Sequence, residues 1–477
     1  MLVRQLSDPA IAQFAYLVGC PRTGEALIID PERDVDRYFA TAAQLGLRIV
    51  AAVDTHIHAD YLSGLREMAA RGVLVYASKE GGPDWQYEWL KGSDYPHRLI
   101  GHGDRFKVGN IEFEAVHTPG HTPEHLSYLV RDGGAGTDDY IALASGDFVF
   151  VGDVGRPDLL ERAAGVSGVM VPSARLQYAS IQQHFRPLPA HLQVWPGHGA
   201  GSPCGKSLGD IPTTTVGYEL RNNPSIKAAA DEQTFVDFIL AGQPEPPLYF
   251  ARMKRDNRRG PALMPELPKP PAVDASAIGA LVARRDIAIL DTRGRRAFFD
   301  GHLPGALLTE LDFQFCAIAG SYVAEDTPIY LLVEPADVDR AVRMLVRVGL
   351  DRIEGVITPA ALAQYAAQGS GLKRTERISM AEMESRRRQG LGHVLDVRSQ
   401  AEWDAGHVPG ALHVPHTRVG TQLPTLPTDR PLLVHCRSGA RAAAAVALLE
   451  RHGFAAVHVD DAIAHYAASD LVLDRTA

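Results

Sequence analysis

Cysteine is scarce in this sequence, and runs long enough to span a membrane are missing. Four cysteines occur in 477 residues without a CxxC pair, which argues against a disulfide framework and predicts a reducing, cytoplasmic setting. No stretch reaches the roughly 18 apolar residues of a membrane span, and no signal-peptide pattern opens the chain. Basic residues number 48 against 57 acidic ones, so the net charge of −9 disfavours a nucleic-acid partner. The remaining composition is globular, with 45% hydrophobic residues.

Two candidate domain boundaries divide the chain. The first, residues 243–271, contains PEPPLYF and PALMPELPKPP, and prolines at this density favour extended linkers. The second boundary, GSGLKRTERIS at 369–379, is less distinct. We predict domains at 1–245, 271–370 and 374–477, with a linker at 246–270. Between the prolines lies a basic cluster, which we interpret as a solvated linker face, with anionic-substrate capture as the alternative: Arg252, Lys254, Arg255, Arg258 and Arg259.

The last two domains form an internal repeat. ILDTRGRRAFFDGHLPGA in the middle domain matches LDVRSQAEWDAGHVPGA in the last, and each is followed by an apolar strand and an Ala/Val/Leu-rich helix. Alternating strands and helices predict parallel sheets with helices on both faces. The first domain starts with a strand hairpin and then mixes strands and helices, which is typical of a layered α/β sandwich.

Histidines and aspartates follow four apolar strands of the first domain. The motifs are THIHADY, TPGHTPEH, ASGDFVF and WPGHG, and convergence of the strand ends would gather their side chains. Imidazole and carboxylate ligands suit zinc or non-haem iron better than calcium. The candidate residues are His56, His58, Asp60, His121, Asp147 and His198.

This order of motifs resembles the metallo-β-lactamase fold, whose signature is HxHxDH followed by His, Asp and His. Tyr61 stands where the signature has its last histidine. In the two-zinc hydrolases of this fold that histidine and the preceding aspartate hold the second metal, so the resemblance favours a mononuclear site. The implied fold is an N-terminal αββα sandwich.

Within that superfamily, TPGHTP, SGD and GRPDL resemble the persulfide dioxygenases. The resemblance implies one Fe(II) per chain held by His56, His121 and Asp147, with open positions where a persulfide and O₂ meet. His58, Asp60, Tyr61, His198 and Arg156 would then surround the ligands and orient them. His125 is a weaker candidate, more typical of a loop-ordering residue.

The third domain carries HCRSGAR between an apolar strand and a helix. Loop N–H groups, the helix N-terminus, Arg437 and Arg441 surround Cys436 with positive charge, which favours a thiolate nucleophile and a bound oxyanion. The alternative of a small-loop phosphatase requires five residues between cysteine and arginine, whereas this loop has four.

Together with LDVRSQAEWDAGHVPGA, the loop resembles the rhodanese family. The resemblance implies a doubly wound parallel sheet, a persulfide carried on Cys436, and scaffold roles for Asp396, Arg398 and Glu402. The middle repeat keeps Asp291 and Arg293 of the scaffold but has Val333 and Glu334 where the cysteine belongs. We interpret it as an inactive rhodanese-like domain, and Cys316 upstream of that loop as structural.

The combined resemblance, to bacterial persulfide dioxygenase–rhodanese fusions of sulfide detoxification, covers nearly the whole chain. It implies oxidation of a small thiol persulfide by O₂ to sulfite, sulfur transfer between Cys436 and sulfite or thiosulfate in either direction, and a homo-oligomer. The thiol, glutathione, coenzyme A or another, stays open. Cys204 either relays the persulfide or is a plain loop cysteine. Alternative functions are a zinc thioester hydrolase similar to glyoxalase II, fused to a sulfurtransferase, and a non-oxidising sulfur carrier.

Overall fold

A computed structural model describes residues 1–162, 168–369, 371–467 and 473–474 in two compact units. One unit contains 1–246 and 250–266, and the other contains 247–249 and the chain from Leu267 onward. The predicted domain ends at 370 and 477 lie outside the described residues. Among the described helices, none is both long and apolar enough to cross a membrane.

The first unit is built on two six-stranded sheets. The first sheet pairs antiparallel from β1 to β3 and parallel from β3 to β6, and its strands are β1 (Leu2–Asp8), β2 (Gln13–Cys20), β3 (Glu25–Ile29), β4 (Arg48–Val53), β5 (Leu74–Ser78) and β6 (His97–Ile100). In the second sheet only β10 and β11 pair parallel, and its strands are β7 (Arg105–Val108), β8 (Ile111–His117), β9 (Leu126–Asp132), β10 (Ala142–Gly146), β11 (Gln193–Pro196) and β12 (Thr214–Thr215).

Helices cover the outer faces of both sheets. They are α1 (Asp36–Gln44), α2 (Leu65–Ala70), α3 (Leu159–Arg162), α4 (Met170–Ser180) with a π-helical turn at Ile181–Phe185, α5 (Val216–Asn222), α6 (Pro224–Ala228), α7 (Glu232–Leu240) and α8 (Phe250–Arg259).

The sequence builds these layers by alternation along the strands. In β2, Leu17 packs toward the helices α1 and α2, whereas Val18 packs between the sheets against residues such as Phe113. A third cluster joins the second sheet to α4 and α7, with Leu143 against Phe235. The predicted αββα sandwich is confirmed.

The segment predicted as a linker, 246–270, is in part a helix. The helix α8 belongs to the first unit, and its buried residues Phe250, Met253 and Asn257 recur at helical spacing. The expectation of an extended linker is therefore wrong for 250–259. Prolines flank this segment rather than interrupt it, so they set its ends without preventing the helix.

The second unit contains the two repeats, each with a parallel sheet. The middle repeat has the strand order β14-β13-β15-β16 and contains β13 (Ala288–Asp291), β14 (Leu307–Leu308), β15 (Ile329–Leu332), β16 (Ile353–Ile357), α9 (Ala275–Val282), α10 (Arg295–Asp300), α11 (Phe315–Tyr322), α12 (Val338–Arg347) and α13 (Pro359–Ala367).

The last repeat has the order β17-β21-β20-β18-β19, which repeats the arrangement of the middle sheet with β17 added. It contains β17 (Arg377–Ile378), β18 (His393–Asp396), β19 (Leu412–His413), β20 (Leu432–His435), β21 (Ala456–Val459), α14 (Met380–Arg388), α15 (Gln400–Asp404), α16 (Val419–Gln422), α17 (Ala440–Arg451) and α18 (Ile463–Ala467). Parallel sheets in both repeats match the prediction.

Candidate functional site

The histidine and aspartate motifs of the first unit all follow strand ends. His56 comes after β4, His121 lies between β8 and β9, Asp147 directly follows β10, and His198 follows β11. All four side chains are buried. The two sheets therefore bring residues that are up to 142 positions apart to one end of the sandwich, as the motifs predict.

Three of these residues form a group of facing ligand atoms. Nε2 of His121 lies 3.4 Å from Oδ2 of Asp147, and Nε2 of His56 lies 3.9 Å from the same oxygen. The three ligand atoms fall within 4.8 Å of one another. Nδ1–H of His121 donates to the carbonyl oxygen of Arg156 at 2.9 Å, which directs the Nε2 lone pair at the group.

The donor set fits a bound cation. Among the described residues, Nε2 of His56 and both carboxylate oxygens of Asp147 are buried without a hydrogen-bond partner. Such unpaired buried acceptors are costly unless a ligand satisfies them. Burial lowers the pKa of His121 to about 3, which keeps its imidazole neutral, and raises the pKa of Asp147 to about 6. Two neutral imidazoles and one carboxylate can bind Fe(II) or Zn²⁺.

His58 is held away from this group by hydrogen bonds. Its Nε2–H donates to the hydroxyl oxygen of Tyr61 at 3.0 Å and to Oδ1 of Asp30 at 3.3 Å. Burial disfavours a charge on His58, but the carboxylate of Asp30 outweighs it and raises the pKa of His58 to about 9. Burial raises the pKa of Tyr61 well above its usual value, so the phenol stays protonated and donates to the backbone oxygen of Asp30.

A second group of possible ligands lies beside the first. Asp60, His198 and Cys204 are buried with ligand atoms within 4.8 Å of one another, and Nε2 of His198 also lies 3.5 Å from Oδ1 of Asp147. Burial raises the pKa of the Cys204 thiol well above its usual value, and the carboxylates of Asp60 and Asp147 add to the effect. In this environment Cys204 is a neutral thiol.

Arg156 and His125 organise the loops around these groups. The Arg156 guanidinium forms two 2.7 Å hydrogen bonds to the carboxylate of Asp158. His125 accepts a hydrogen bond from the backbone N–H of Asp147 at Nε2, 3.1 Å away. Both side chains are fully buried, and neither belongs to the facing ligand atoms.

Asn257 on α8 is a positioning residue that the sequence analysis missed. Its side-chain amide donates to the carbonyl oxygens of His58 at 2.8 Å and Tyr61 at 2.7 Å, and its Oδ1 accepts from the N–H of Ser63. Helix α8 thus fixes the loop of residues 56–61, here called the HIHADY loop. The spacing of Phe250, Met253 and Asn257 was a sequence signal for the helix itself.

Cys436 lies in the loop between β20 and α17. Its thiol is buried and accepts a hydrogen bond from the backbone N–H of Gly439, 3.2 Å away. Gly439 has φ of +90°, a left-handed conformation that suits glycine, and a Cβ there would lie 3.0 Å from Oδ1 of Asp460. The strand–loop–helix geometry predicted around Cys436 is present.

The two arginines of this loop differ in their surroundings. Arg441 forms two 2.7 Å hydrogen bonds to the carboxylate of Glu402, so much of its charge is neutralised within the protein. Burial opposes charge on Arg441, yet Glu402 and Cys436 raise its pKa. Arg437 is exposed, and its guanidinium has no ion pair with the described residues. Arg437 is therefore the cation most available to a bound oxyanion.

The scaffold pair is duplicated in the repeats. Arg398 bonds Asp396 at 2.6 Å and the carbonyl oxygen of Gly406 at 2.8 Å. In the middle repeat Arg293 bonds Asp291 at 2.7 Å and the carbonyl oxygen of Gly301 at 2.9 Å. The two repeats thus share the support beneath the loop, although only the last has a cysteine in it. Cys316 is buried in α11, 3.5 Å from the carbonyl oxygen of Met344.

Comparisons with known proteins match both parts of the chain. Residues 9–198 match the metallo-beta-lactamase superfamily profile, and residues 379–463 match the rhodanese-like domain profile. A metallo-beta-lactamase from Staphylococcus aureus subsp. aureus COL is 38% identical with a TM-score of 0.67, and the alignment covers 75% of this chain and 99% of that one.

Curated relatives of the first unit include two kinds of enzyme. The mitochondrial persulfide dioxygenase of Bos taurus is 27% identical over 237 residues, 49% of this chain and 78% of the relative. The hydroxyacylglutathione hydrolase of Rhodospirillum rubrum is 30% identical over 246 residues, 51% of this chain and 80% of the relative. Overall identity is similar for both, so the choice between the two chemistries depends on individual site residues.

Proposed function

Because this chain belongs to the metallo-beta-lactamase superfamily and carries a rhodanese-like domain, we propose that it is a persulfide dioxygenase coupled to a sulfurtransferase. The first unit converts RSSH, O₂ and water into RSH, sulfite and protons. The last repeat transfers sulfur between Cys436 and sulfite or thiosulfate. The substrates are sulfur compounds, and the proposed metal is one Fe(II) per chain.

The hydrogen bond between Tyr61 and His58 is the observation that carries this proposal. A phenol with a strongly raised pKa is a poor metal ligand, and here it is engaged with His58 and Asp30. This chain therefore lacks one of the ligands that hold the second metal in the two-zinc hydrolases. His56, His121 and Asp147 remain as the mononuclear set, and their unpaired acceptors support it.

The proposal assigns a role in metal binding to three residues of the chain. His56, His121 and Asp147 would hold the ion from one side, and His121 is kept in the binding tautomer by the carbonyl oxygen of Arg156. Fe(II) held there would supply redox chemistry that zinc lacks. Burial of the whole group limits its contact with bulk water.

Cys436 is the residue that would carry out the sulfur transfer in the last repeat. A Cys436 persulfide, CysS–S⁻, and SO₃²⁻ give CysS⁻ and S₂O₃²⁻. One S–S bond breaks and another forms, so the step needs no external oxidant or reductant. The N–H of Gly439 points at the sulfur, and the exposed Arg437 attracts the incoming dianion.

Metal content and oxygen uptake test the proposal together. We expect the protein purified under anaerobic conditions to contain about one iron per chain and to consume O₂ when a thiol persulfide is added. Sulfite should accumulate in the Cys436→Ser variant. Iron-loaded protein that consumes no O₂ with glutathione, coenzyme A or pantetheine persulfide would overturn the dioxygenase.

The second group, Asp60, His198 and Cys204, favours one alternative, a two-metal hydrolase. Its three buried donors lie beside Asp147, whose Oδ1 is 3.5 Å from Nε2 of His198. A metal there would require the Cys204 thiol to lose its proton against the effect of burial. Two zinc ions per chain and hydrolysis of S-lactoylglutathione would establish this alternative.

A further inference from the structure

A cavity of about 660 Å³ lies in the first unit beside the metal-ligand loops. Ile57, which stands between His56 and His58, lines one side, and Pro123 of the His121 loop lines another. The cavity therefore reaches residues that lie one and two positions along the chain from the proposed ligands His56 and His121. A substrate whose sulfur reached the ligand atoms from this side would have its remaining atoms in the cavity.

Four of the five basic residues of α8 also line the cavity. Lys254, Arg255, Arg258 and Arg259 all line the cavity, whereas Asp84 is the only acidic residue among its lining residues in the described part of the chain. The carboxylates of Glu88 and Asp256, which pair with Arg258 and Arg255, are not in the lining. Four of the five residues that we interpreted as a solvated linker face therefore line a cavity, and two of them, Arg255 and Arg259, are also exposed to solvent.

Lys254 is the basic residue of this lining that most needs a ligand. Its ammonium lies 3.6 Å from the ring centroid of Trp85, and no hydrogen bond or ion pair to it is present among the described residues. Burial lowers the pKa of Lys254 to about 7, although the carboxylate of Glu124 acts in the opposite direction. An anionic group in the cavity would supply the missing acceptor.

We propose that Lys254 and Arg258 bind a phosphate-bearing part of the thiol, so that the natural substrate is the persulfide of a phosphorylated carrier thiol. This inference rests on the proposed function, because it identifies the substrate of the proposed reaction. Binding of the free thiol is independent of oxidation and can be measured separately. Asn257 lies between Lys254 and Arg258 and fastens the same helix to the HIHADY loop.

Coenzyme A and pantetheine are the matched probes, because they share the thiol arm and differ in the phosphorylated nucleotide. Calorimetry with the full chain should show coenzyme A binding at least about tenfold more tightly than pantetheine, the order expected for charge-assisted hydrogen bonds. Lys254→Gln and Arg258→Gln should each reduce that ratio. Arg48→Gln is the control, since Arg48 is an exposed cation of β4 outside the cavity.

Equal affinity for the two thiols, or a preference that survives both substitutions, would overturn the inference. Tighter binding of glutathione than of coenzyme A would overturn it as well. Failure of the proposed function has a different signature, since it would leave O₂ uptake absent while the difference in thiol binding persists. Circular dichroism of each variant checks that the chain as a whole is still folded.

A second inference concerns the cysteine-less repeat, and separate contacts carry it. Arg295 of α10 forms a 3.0 Å ion pair through Nε with Asp460, and its terminal nitrogen lies 3.5 Å from the carbonyl oxygen of Ser438 in the Cys436 loop. Phe299, one helical turn later, stacks on His458 with ring centroids 4.7 Å apart. One face of α10 therefore contacts the last repeat beside its reactive loop.

These contacts continue to the thiol. Nε2–H of His458 donates to the carbonyl oxygen of Gly439 at 2.8 Å, and the N–H of Gly439 donates to Sγ of Cys436 at 3.2 Å. We infer that Arg295 and Phe299 are positioning residues for the Cys436 loop, which gives the cysteine-less repeat a role in sulfur transfer. The experiment compares Arg295→Gln with Arg296→Gln, the exposed arginine next to it on α10.

Arg295→Gln and Phe299→Leu should lower kcat of thiosulfate:cyanide sulfurtransfer by about tenfold, as misplacement of a nucleophile does, with a smaller change in KM. Arg295→Lys should restore part of it, and Arg296→Gln should match wild type. The rate of Cys436 alkylation by iodoacetamide, followed by mass spectrometry, should change in the same variants even if the protein transfers no sulfur. Alkylation and kcat equal to those of Arg296→Gln would refute the inference.

Discussion

The hydroxyl oxygen of Tyr61 lies 3.0 Å from Nε2 of His58. This contact joins the residue that departs from the superfamily signature to a histidine of the same motif. It also places a hydroxyl group where a second metal would need an imidazole. The number of metal ions per chain should therefore depend on residue 61.

Tyr61→His should raise metal binding toward a second equivalent, because an imidazole then joins Asp60 and His198. Tyr61→Phe should keep a single equivalent and lower O₂ uptake, since His58 loses one of its two acceptors. Elemental analysis of both variants beside wild type measures the difference. A wild-type chain that already binds two ions would contradict the argument.

Asn257→Ala should lower the free energy of unfolding by about 2–3 kcal/mol, because three buried backbone groups lose their partner. Metal affinity should fall as well, since the HIHADY loop is released. Urea unfolding and a metal-chelator competition measure the two effects. Asn222→Ala, an exposed asparagine of α5, is the control and should leave both quantities unchanged.

His121→Ala should abolish iron binding and O₂ uptake while sulfurtransfer continues. The substitution removes the nitrogen 3.4 Å from Asp147 and leaves the second unit untouched. Iron content, an oxygen electrode and a thiosulfate:cyanide assay on one preparation separate these activities. The exposed His191 provides the matched His191→Ala control. Loss of both activities in a folded variant would mean that the two sites are not independent.

Cys436→Ser should have the opposite effect. Sulfur transfer stops because a serine hydroxyl cannot carry the persulfide, and O₂ uptake continues with sulfite as the product. Ion chromatography of sulfite and thiosulfate follows the change. Cys316→Ser should still produce thiosulfate, since Cys316 is buried in α11 of the other repeat. Thiosulfate formation by Cys436→Ser would show that another group carries the sulfur.

Glu402→Gln should destabilise the last repeat in a pH-dependent way. Burial alone would raise the pKa of Glu402, but the ion pair with Arg441 and hydrogen bonds from Ser399 lower it to about 2. A depressed pKa contributes stability above the ordinary value of 4.5, and that contribution is lost as the pH falls toward 2.

The unfolding free energy of Glu402→Gln should therefore lie about 1 kcal/mol below that of wild type near neutral pH. The deficit should shrink below the ordinary carboxyl pKa of 4.5. Denaturant unfolding across this pH range tests the sign. A deficit that grows as the pH falls would refute the assignment of the ion pair.

Residue patterns alone predict the architecture and most members of the candidate sites. Alternation along strands such as β2 fixed which residues face each layer, and the repeat motifs fixed two parallel sheets. The motifs also identified His56, His121, Asp147 and Cys436, because the chemistry of a strand-end loop is visible in its residue types. Local order and local chemistry are short-range properties, so a linear pattern contains them.

The contacts between distant side chains could not be read from these patterns. The prolines on both sides of helix α8 led the sequence analysis to predict a linker there. Neither the contact of Asn257 with the HIHADY loop nor the cavity beside Lys254 follows from spacing, since about 200 residues separate the partners. The pairing of Arg441 with Glu402 and the contact of Arg295 with Asp460 have the same origin. Contacts between distant segments depend on how completed elements pack, and packing is a property of the folded chain.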